Sequence, residues 1–262
     1  MKKYGLAVLA GVLGLGITNS MDPAQQQVPE SGLVSLVMDT SSATDVGNPS
    51  YSIQVNDYNP AICDIPVPRV YPKAMGKPHQ GKLQNAMPLP YTPCLDIQSM
   101  HHYGTWELLS TIAHAAYETY LEYGLQTEVH DLSKERGGRF PPHRSHQNGL
   151  DADISLFHYD PATKTNSTAY RPIGRNDNPQ TWEVNWHFIK TLQEQGTVRA
   201  IFLDREYIGK LRKYVLKQFG EQEWNHYGTV LHHEPGHNTH FHVRIEAPTL
   251  PILLAQAEGR KG

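Results

Sequence analysis

Long apolar runs are scarce in this chain. The uncharged stretch from Leu6 to Ile17 holds about a dozen residues, short of the roughly 20 that a bilayer-spanning helix needs. Cysteine is nearly absent. Cys63 and Cys94 are the whole supply and no Cys-x-x-Cys occurs, which speaks against a cysteine-built metal site. There is no block of lysines or arginines, and the formal net charge is −3. Without a basic patch there is no electrostatic footprint for nucleic acid. Internal repeats and low-complexity tracts are also missing.

The residues present describe a folded, loop-rich globule. Hydrophobic residues make up 39% and charged residues 19%, a balance that argues against disorder. Nineteen prolines and 21 glycines argue against a helical bundle and for irregular connections. Residues 1–20 read as an export leader: Lys2 and Lys3 precede the apolar run, and Thr18-Asn-Ser20 offers small residues at the cleavage spacing. An uncleaved anchor is the alternative, disfavoured by the length of the run. No cysteine at the junction supports a lipid anchor. Residues 21–60 are rich in Ser, Gln, Asp, Asn and Pro and read as a polar linker or peripheral arm. Residues 61–250 form the expected domain, large enough to build a real core, and 251–262 a tail. In an exported chain Cys63 and Cys94 are expected to form a disulfide, with two free thiols as the alternative. Its loop is worth about 3.7 kcal/mol in the chain-entropy model.

Periodicity assigns a helix from Thr105, its cap, to about Tyr123, with Gly124 as its stop. A strand follows over Leu125–His130, then a polar loop to Pro142. A second helix spans Pro179 or Thr181 to about Gln195, a buried strand Val198–Leu203, and a third helix Tyr207–Phe219. The prolines between residues 60 and 95 suggest extended segments pinned by turns. Mixed elements without a regular βαβ rhythm predict an α+β fold. The expected form is a small antiparallel β-sheet with helices packed around it and a metal site on its open face.

Two segments carry the chemistry: His143-Arg-Ser-His146-Gln-Asn-Gly149-Leu-Asp151-Ala-Asp153, and His237-Asn-Thr-His240-Phe-His242. In a strand over Thr239–Ile245, alternation sends Phe241, Val243 and Ile245 to the core and leaves His240, His242 and Arg244 on the other face. Asp151–Phe157 alternates in the same way, with Asp151 and Asp153 facing the site. Taken alone, His-x-His is weak evidence, since a polar face with two solvated histidines reads identically. Together, His146, Asp153 and His242 could close on one zinc ion and leave its fourth position to water. Asp151 reads either as a group that orients a ligand or as an acceptor that closes the loop.

This pattern resembles the zinc peptidases grouped around lysostaphin, the D-Ala-D-Ala peptidases and the hedgehog domain. The local text is closer to the penicillin-insensitive murein endopeptidases. The features that carry the resemblance are Gly81-Lys-Leu83-Gln-Asn85, Tyr103-Gly104, Asp131-Leu-Ser133, Arg136-Gly-Gly138, the His143–Asp153 segment, and Gly236-His237-x-x-His240-Phe-His242-Val-Arg244. They span residues 75 to 247, roughly two-thirds of the chain.

The resemblance implies an exported, periplasmic or secreted zinc enzyme that cuts peptide cross-links in peptidoglycan. Its zinc ligands would be His146, Asp153 and His242. His240 would take the proton from the attacking water, while His143 and His237 lie close by in roles the sequence does not separate. Related carboxypeptidases often carry a glutamate three residues before the last histidine ligand. Thr239 stands there in this chain, which shifts proton transfer to His240 or His237. Because no serine nucleophile is needed, a β-lactam would find nothing to acylate. Arg136, Arg139, Arg144 and Arg244 are candidates for holding stem-peptide carboxylates, with surface or structural roles equally open. Trp224 and Tyr227 suit the core better than the substrate. Two other readings remain open: a D,D-carboxypeptidase acting on uncross-linked stems, and a zinc-bearing binding module without catalysis.

Overall fold

The computed structural model describes residue 63 and residues 65–163, 170–175 and 177–247. The leader at 1–20, the arm at 21–60 and the tail at 251–262 lie outside the described residues. The elements run in the order β1 (Lys73–Lys77), β2 (Gln80–Gln84), β3 (Met87–Pro88), β4 (Leu95–Ile97), β5 (Tyr103–Gly104), α1 (Trp106–Tyr123), β6 (Thr127–Val129), β7 (Asp151–Ser155), α2 (Thr181–Glu194), β8 (Val198–Leu203), α3 (Arg205–Gln218), α4 (Glu221–Tyr227), β9 (Leu231–His233) and β10 (His240–Ile245). None of the described helices is long and apolar enough to cross a membrane.

The expected α+β fold is present. Its main sheet has six strands in the order β4-β6-β7-β10-β8-β9. The inner pairs are antiparallel, as the sequence suggests. The outermost pairs, β4 with β6 and β8 with β9, are parallel. A helix precedes the inner strand of each parallel pair or lies between its members, which gives the chain the length a parallel crossover requires.

The helices form where caps and periodicity agree. Thr105 accepts from Leu108 N, and Gly124 ends α1 in the left-handed conformation. The α1 side chains Leu108, Leu109, Ile112, Ala115 and Ala116 are fully buried. They share one core with Val184, Phe188, Ile189 and Leu192 of α2 and with Ala152, Ile154, Phe241 and Val243 of the sheet. Burial of each large aliphatic side chain is worth about 1.5–3 kcal/mol. The third helix begins two residues earlier than expected because Asp204 caps it, accepting from Glu206 N at 2.8 Å. Cys63 and Cys94 are joined as a disulfide.

A β1–β2 hairpin fills part of the proline-rich segment and braces the loop that carries the first motif. Leu83 N donates to Arg136 O at 3.2 Å, Gln147 N to Pro78 O at 3.0 Å, and Asn148 Nδ2 to Gly76 O at 3.2 Å. Leu83 packs so tightly under Gly149 that a Cβ there would meet its methyls at 2.8 Å and 2.9 Å. Gly149 also has a φ of 75°, which a side chain would strain.

At the exit of β7, Asn185 of α2 ties the chain down. Its Oδ1 accepts from Phe157 N at 3.1 Å, and its Nδ2 donates to Phe157 O at 2.9 Å and to Thr181 O at 2.6 Å. Both partners on Phe157 are buried, so losing the amide leaves them unsatisfied. Asn185→Ala is expected to cost about 3 kcal/mol, read as a lower urea midpoint. An unchanged midpoint would contradict this role.

Candidate metal centre

The β7–β10 register builds the site. His242 lies opposite Asp153, His240 opposite Ser155, and Arg244 opposite Asp151. Phe241, Val243 and Ile245 enter the core, leaving the alternate side chains on the open face. His146 arrives from the braced loop before β7. Its φ of 62° is unusual for a residue with a side chain and is strained. Two hydrogen bonds hold it there: its N–H donates to Asp151 Oδ2 at 2.9 Å, and its Nδ1 lies 2.7 Å from Leu132 O.

Those partners settle which ring atoms face the site. A carbonyl only accepts, so Nδ1 of His146 carries the hydrogen and Nε2 keeps its lone pair. His146 Nε2 lies 3.2 Å from Asp153 Oδ1 and 3.2 Å from His242 Nδ1, and His242 Nδ1 lies 3.2 Å from Asp153 Oδ1. Tetrahedral zinc bonds of about 2.0–2.1 Å would place neighbouring ligand atoms about 3.3 Å apart. Asp153 Oδ1 is buried without a hydrogen-bond donor among the described residues. A buried acceptor in that condition needs a partner, and a cation among the three atoms would serve all of them. The donor set therefore fits a small divalent metal.

His143 also approaches. His143, His146 and Asp153 form a group able to hold a metal ion, sharing two residues with the triad above. His143 Nδ1 is 3.6 Å from Asp153 Oδ2, while its Nε2 donates to Asp131 Oδ2 at 2.9 Å. That bond to Asp131 raises the histidine's pKa and outweighs burial. Asp131 is held in turn by the Ser99 hydroxyl. His143 thus presents Nδ1 toward Asp153 while Nε2 is tied to Asp131.

Asp151 joins the parts. It takes a bidentate ion pair from Arg244, with Nε 2.6 Å from Oδ1 and Nη2 3.0 Å from Oδ2. Its Oδ1 also lies 3.4 Å from His242 Nε2, an ion-pair contact and not a hydrogen bond. Burial opposes ionisation of Asp151, but His242 and Arg244 overcome it and hold the pKa below the usual range. Asp151 therefore closes the loop through His146 N–H and lies behind the outer nitrogen of His242, whose Nδ1 faces Asp153. Arg244 is committed to this carboxylate and to the face of Phe202, 5.2 Å away. It is thereby removed from the candidate substrate clamps.

The remaining histidines gather around this group. His240 Nε2 is 3.7 Å from Asp153 Oδ1. Burial drives the His240 pKa down to about 4, with Asp153 opposing, so the ring is neutral near pH 7. Burial also lowers His242, yet Asp151 and Asp153 raise it to about 9. His237 sits with its ring 4.8 Å from His240 and 5.6 Å from His242, and its pKa is lowered by burial. All five histidines of the two motifs thus converge with Asp153.

Trp224 stacks on Trp186 at 5.7 Å and Tyr227 packs against the same core, as expected. His232 and His233 are exposed on β9. Sequence reasoning missed Tyr170, whose hydroxyl hydrogen-bonds His240 Nδ1 and whose ring stacks on it at 5.1 Å. Tyr170 belongs to no motif spacing and comes from the connection between β7 and α2.

A search among curated proteins finds similarity to a penicillin-insensitive murein endopeptidase of Pectobacterium atrosepticum. The two are 28% identical over 200 residues, which cover 68% of this chain and 66% of that relative. The chain thus spans just under two-thirds of the relative's length. The model of the penicillin-insensitive murein endopeptidase family matches residues 74–252, a span that begins at the bracing hairpin and includes every group of the site. On that match, the chain belongs to the penicillin-insensitive murein endopeptidase family.

Proposed function

We propose that this protein is an exported zinc-dependent endopeptidase that hydrolyses peptide cross-links in peptidoglycan, acting in the periplasm or outside the cell. One observation carries the reading: His146 Nε2, Asp153 Oδ1 and His242 Nδ1 lie 3.2 Å from one another with His240 beside them. Three ligands leave a fourth position open, the mark of catalytic rather than structural zinc sites. Family membership supplies the class of bond.

His146, Asp153 and His242 would hold the ion, with Leu132 O and Asp151 fixing the two imidazoles. Bound there, zinc supplies Lewis acidity, polarising a carbonyl and acidifying water from a pKa of about 15.7 towards about 7. His240 is placed to take the proton from the attacking water at Nε2. His143, when protonated, would donate from Nδ1 toward a developing oxyanion while Nε2 stays with Asp131. His237, its ring 4.8 Å from that of His240, would return a proton to the leaving amine. The mechanism forms no acyl-enzyme at a serine, so penicillin has no nucleophile to trap.

The reading is tested by digesting purified cross-linked muropeptides with the full chain, with and without a chelator. Dimers should fall to monomers, stop falling with chelator, and resume with added zinc. Intact dimers with release of C-terminal D-alanine would mean a carboxypeptidase. Intact dimers with no release from a zinc-loaded protein would mean a binding module.

His146→Ala and Asp153→Ala are expected to lose both zinc and activity. His240→Ala should keep zinc and lose about 100-fold or more in kcat. An equal fall of zinc content in all three variants would overturn this division of labour. Asp151→Asn removes the charge behind His242 and should weaken zinc binding about 10–100-fold in a chelator competition. Unchanged affinity would place Asp151 in the loop alone.

A further inference from the structure

The connection from β7 to α2 delivers Tyr170 to the face of His240. The ring of Tyr170 lies between two imidazoles, stacked on His240 at 5.1 Å and tilted against His130 at 4.3 Å. His130 is itself fixed: its Nε2 is 2.7 Å from Glu128 Oε1 and 3.0 Å from Ser155 Oγ. Ser155 is the cross-strand neighbour of His240, so the stack is anchored to β7 and β10, the strands that carry Asp153 and His242.

A charged knot holds the connection in place. Arg171 donates from Nη1 and Nη2 to Asp177 at 2.9 Å and 2.6 Å, and Gly174 N donates to the same carboxylate at 2.6 Å. His158 lies 3.3 Å from Asp177 and 3.0 Å from Arg171 O. Ile173 is buried, and its carbonyl accepts from the Tyr207 hydroxyl at 3.1 Å. So many anchors within a few residues suit a segment that must present one side chain accurately.

His240 Nδ1 faces two hydroxyls, that of Tyr170 and that of Thr239 at 3.0 Å. Nε2 faces the metal group. A neutral imidazole carries one hydrogen, and the bond made by one nitrogen decides the state of the other. For Nε2 to accept a proton, Nδ1 must hold the hydrogen and a hydroxyl oxygen must receive it. We propose that Tyr170, together with Thr239, is a positioning residue that accepts the Nδ1–H of His240 and keeps the Nε2 lone pair on the metal side. The inference rests on the peptidase reading for its catalytic meaning, but the tautomer itself does not.

The test uses the zinc-loaded full chain labelled with nitrogen-15 at histidine. His240 should show the Nδ1–H tautomer in the wild type, and lose that preference in Tyr170→Phe combined with Thr239→Val. A wild-type His240 protonated at Nε2, or a tautomer unmoved by both substitutions, would overturn the proposal. Kinetically, Tyr170→Phe keeps the stacked ring and should lower kcat about tenfold or more at unchanged KM and zinc content. Unchanged kcat in an active enzyme would also overturn it. A wild type that cleaves no cross-link would end the peptidase reading while leaving the tautomer measurement to stand.

Discussion

The register between β7 and β10 is the constraint on which the site depends. Asp151, Asp153 and Ser155 alternate along one strand, and Arg244, His242 and His240 face them in order on the other. A slip of one residue would turn every one of these side chains into the core and bring Phe241 and Val243 out. The apolar face resists that slip, because its residues are fully buried against α1 and α2. The hydrophobic layer and the polar layer therefore select the same pairing.

That arrangement concentrates buried charge. Asp151 and Asp153 are both almost fully buried, and two such carboxylates side by side repel unless cations meet them. Arg244 serves Asp151 through two hydrogen bonds. Among the described residues no lysine or arginine pairs with Asp153, and its Oδ1 lies among the imidazole nitrogens of His146, His240 and His242. The difference separates the two, with one carboxylate holding the frame and the other turned toward the imidazoles. The strain at His146 belongs to the same logic, since its backbone and ring are each fixed by a hydrogen bond before any ligand arrives.

Much of this was legible in the sequence because the signals are local. Thr105 and Gly124 mark their helix at both ends, and alternation in β7 and β10 tells the core face from the polar face. The seven histidine and aspartate positions stand in two short motifs, and the structure brings all of them together. What was not legible depends on contacts between distant segments. The Gly81-x-Leu83 element showed a resemblance without a reason. The reason is that a Cβ at Gly81 would meet the Asn148 side chain at 2.8 Å, and that Leu83 fills the space beneath Gly149. Arg244 looked available to substrate until its pairing with Asp151 was seen. Tyr170 has no spacing relation to His240, 70 residues later, and only the knot around Asp177 puts it there. The short helix α4 and the edge strand β9 follow α3 in a polar stretch with too few apolar positions for a period to show.

The central claim is that one ion sits among His146, Asp153 and His242 with one position open. Anomalous diffraction at the zinc edge from crystals of the zinc-loaded chain tests it most directly. The account predicts a single strong peak bonded to His146 Nε2, Asp153 Oδ1 and His242 Nδ1, with solvent as the fourth neighbour. A peak bonded to His143 in place of His242, or one closed by a fourth protein ligand, would contradict it.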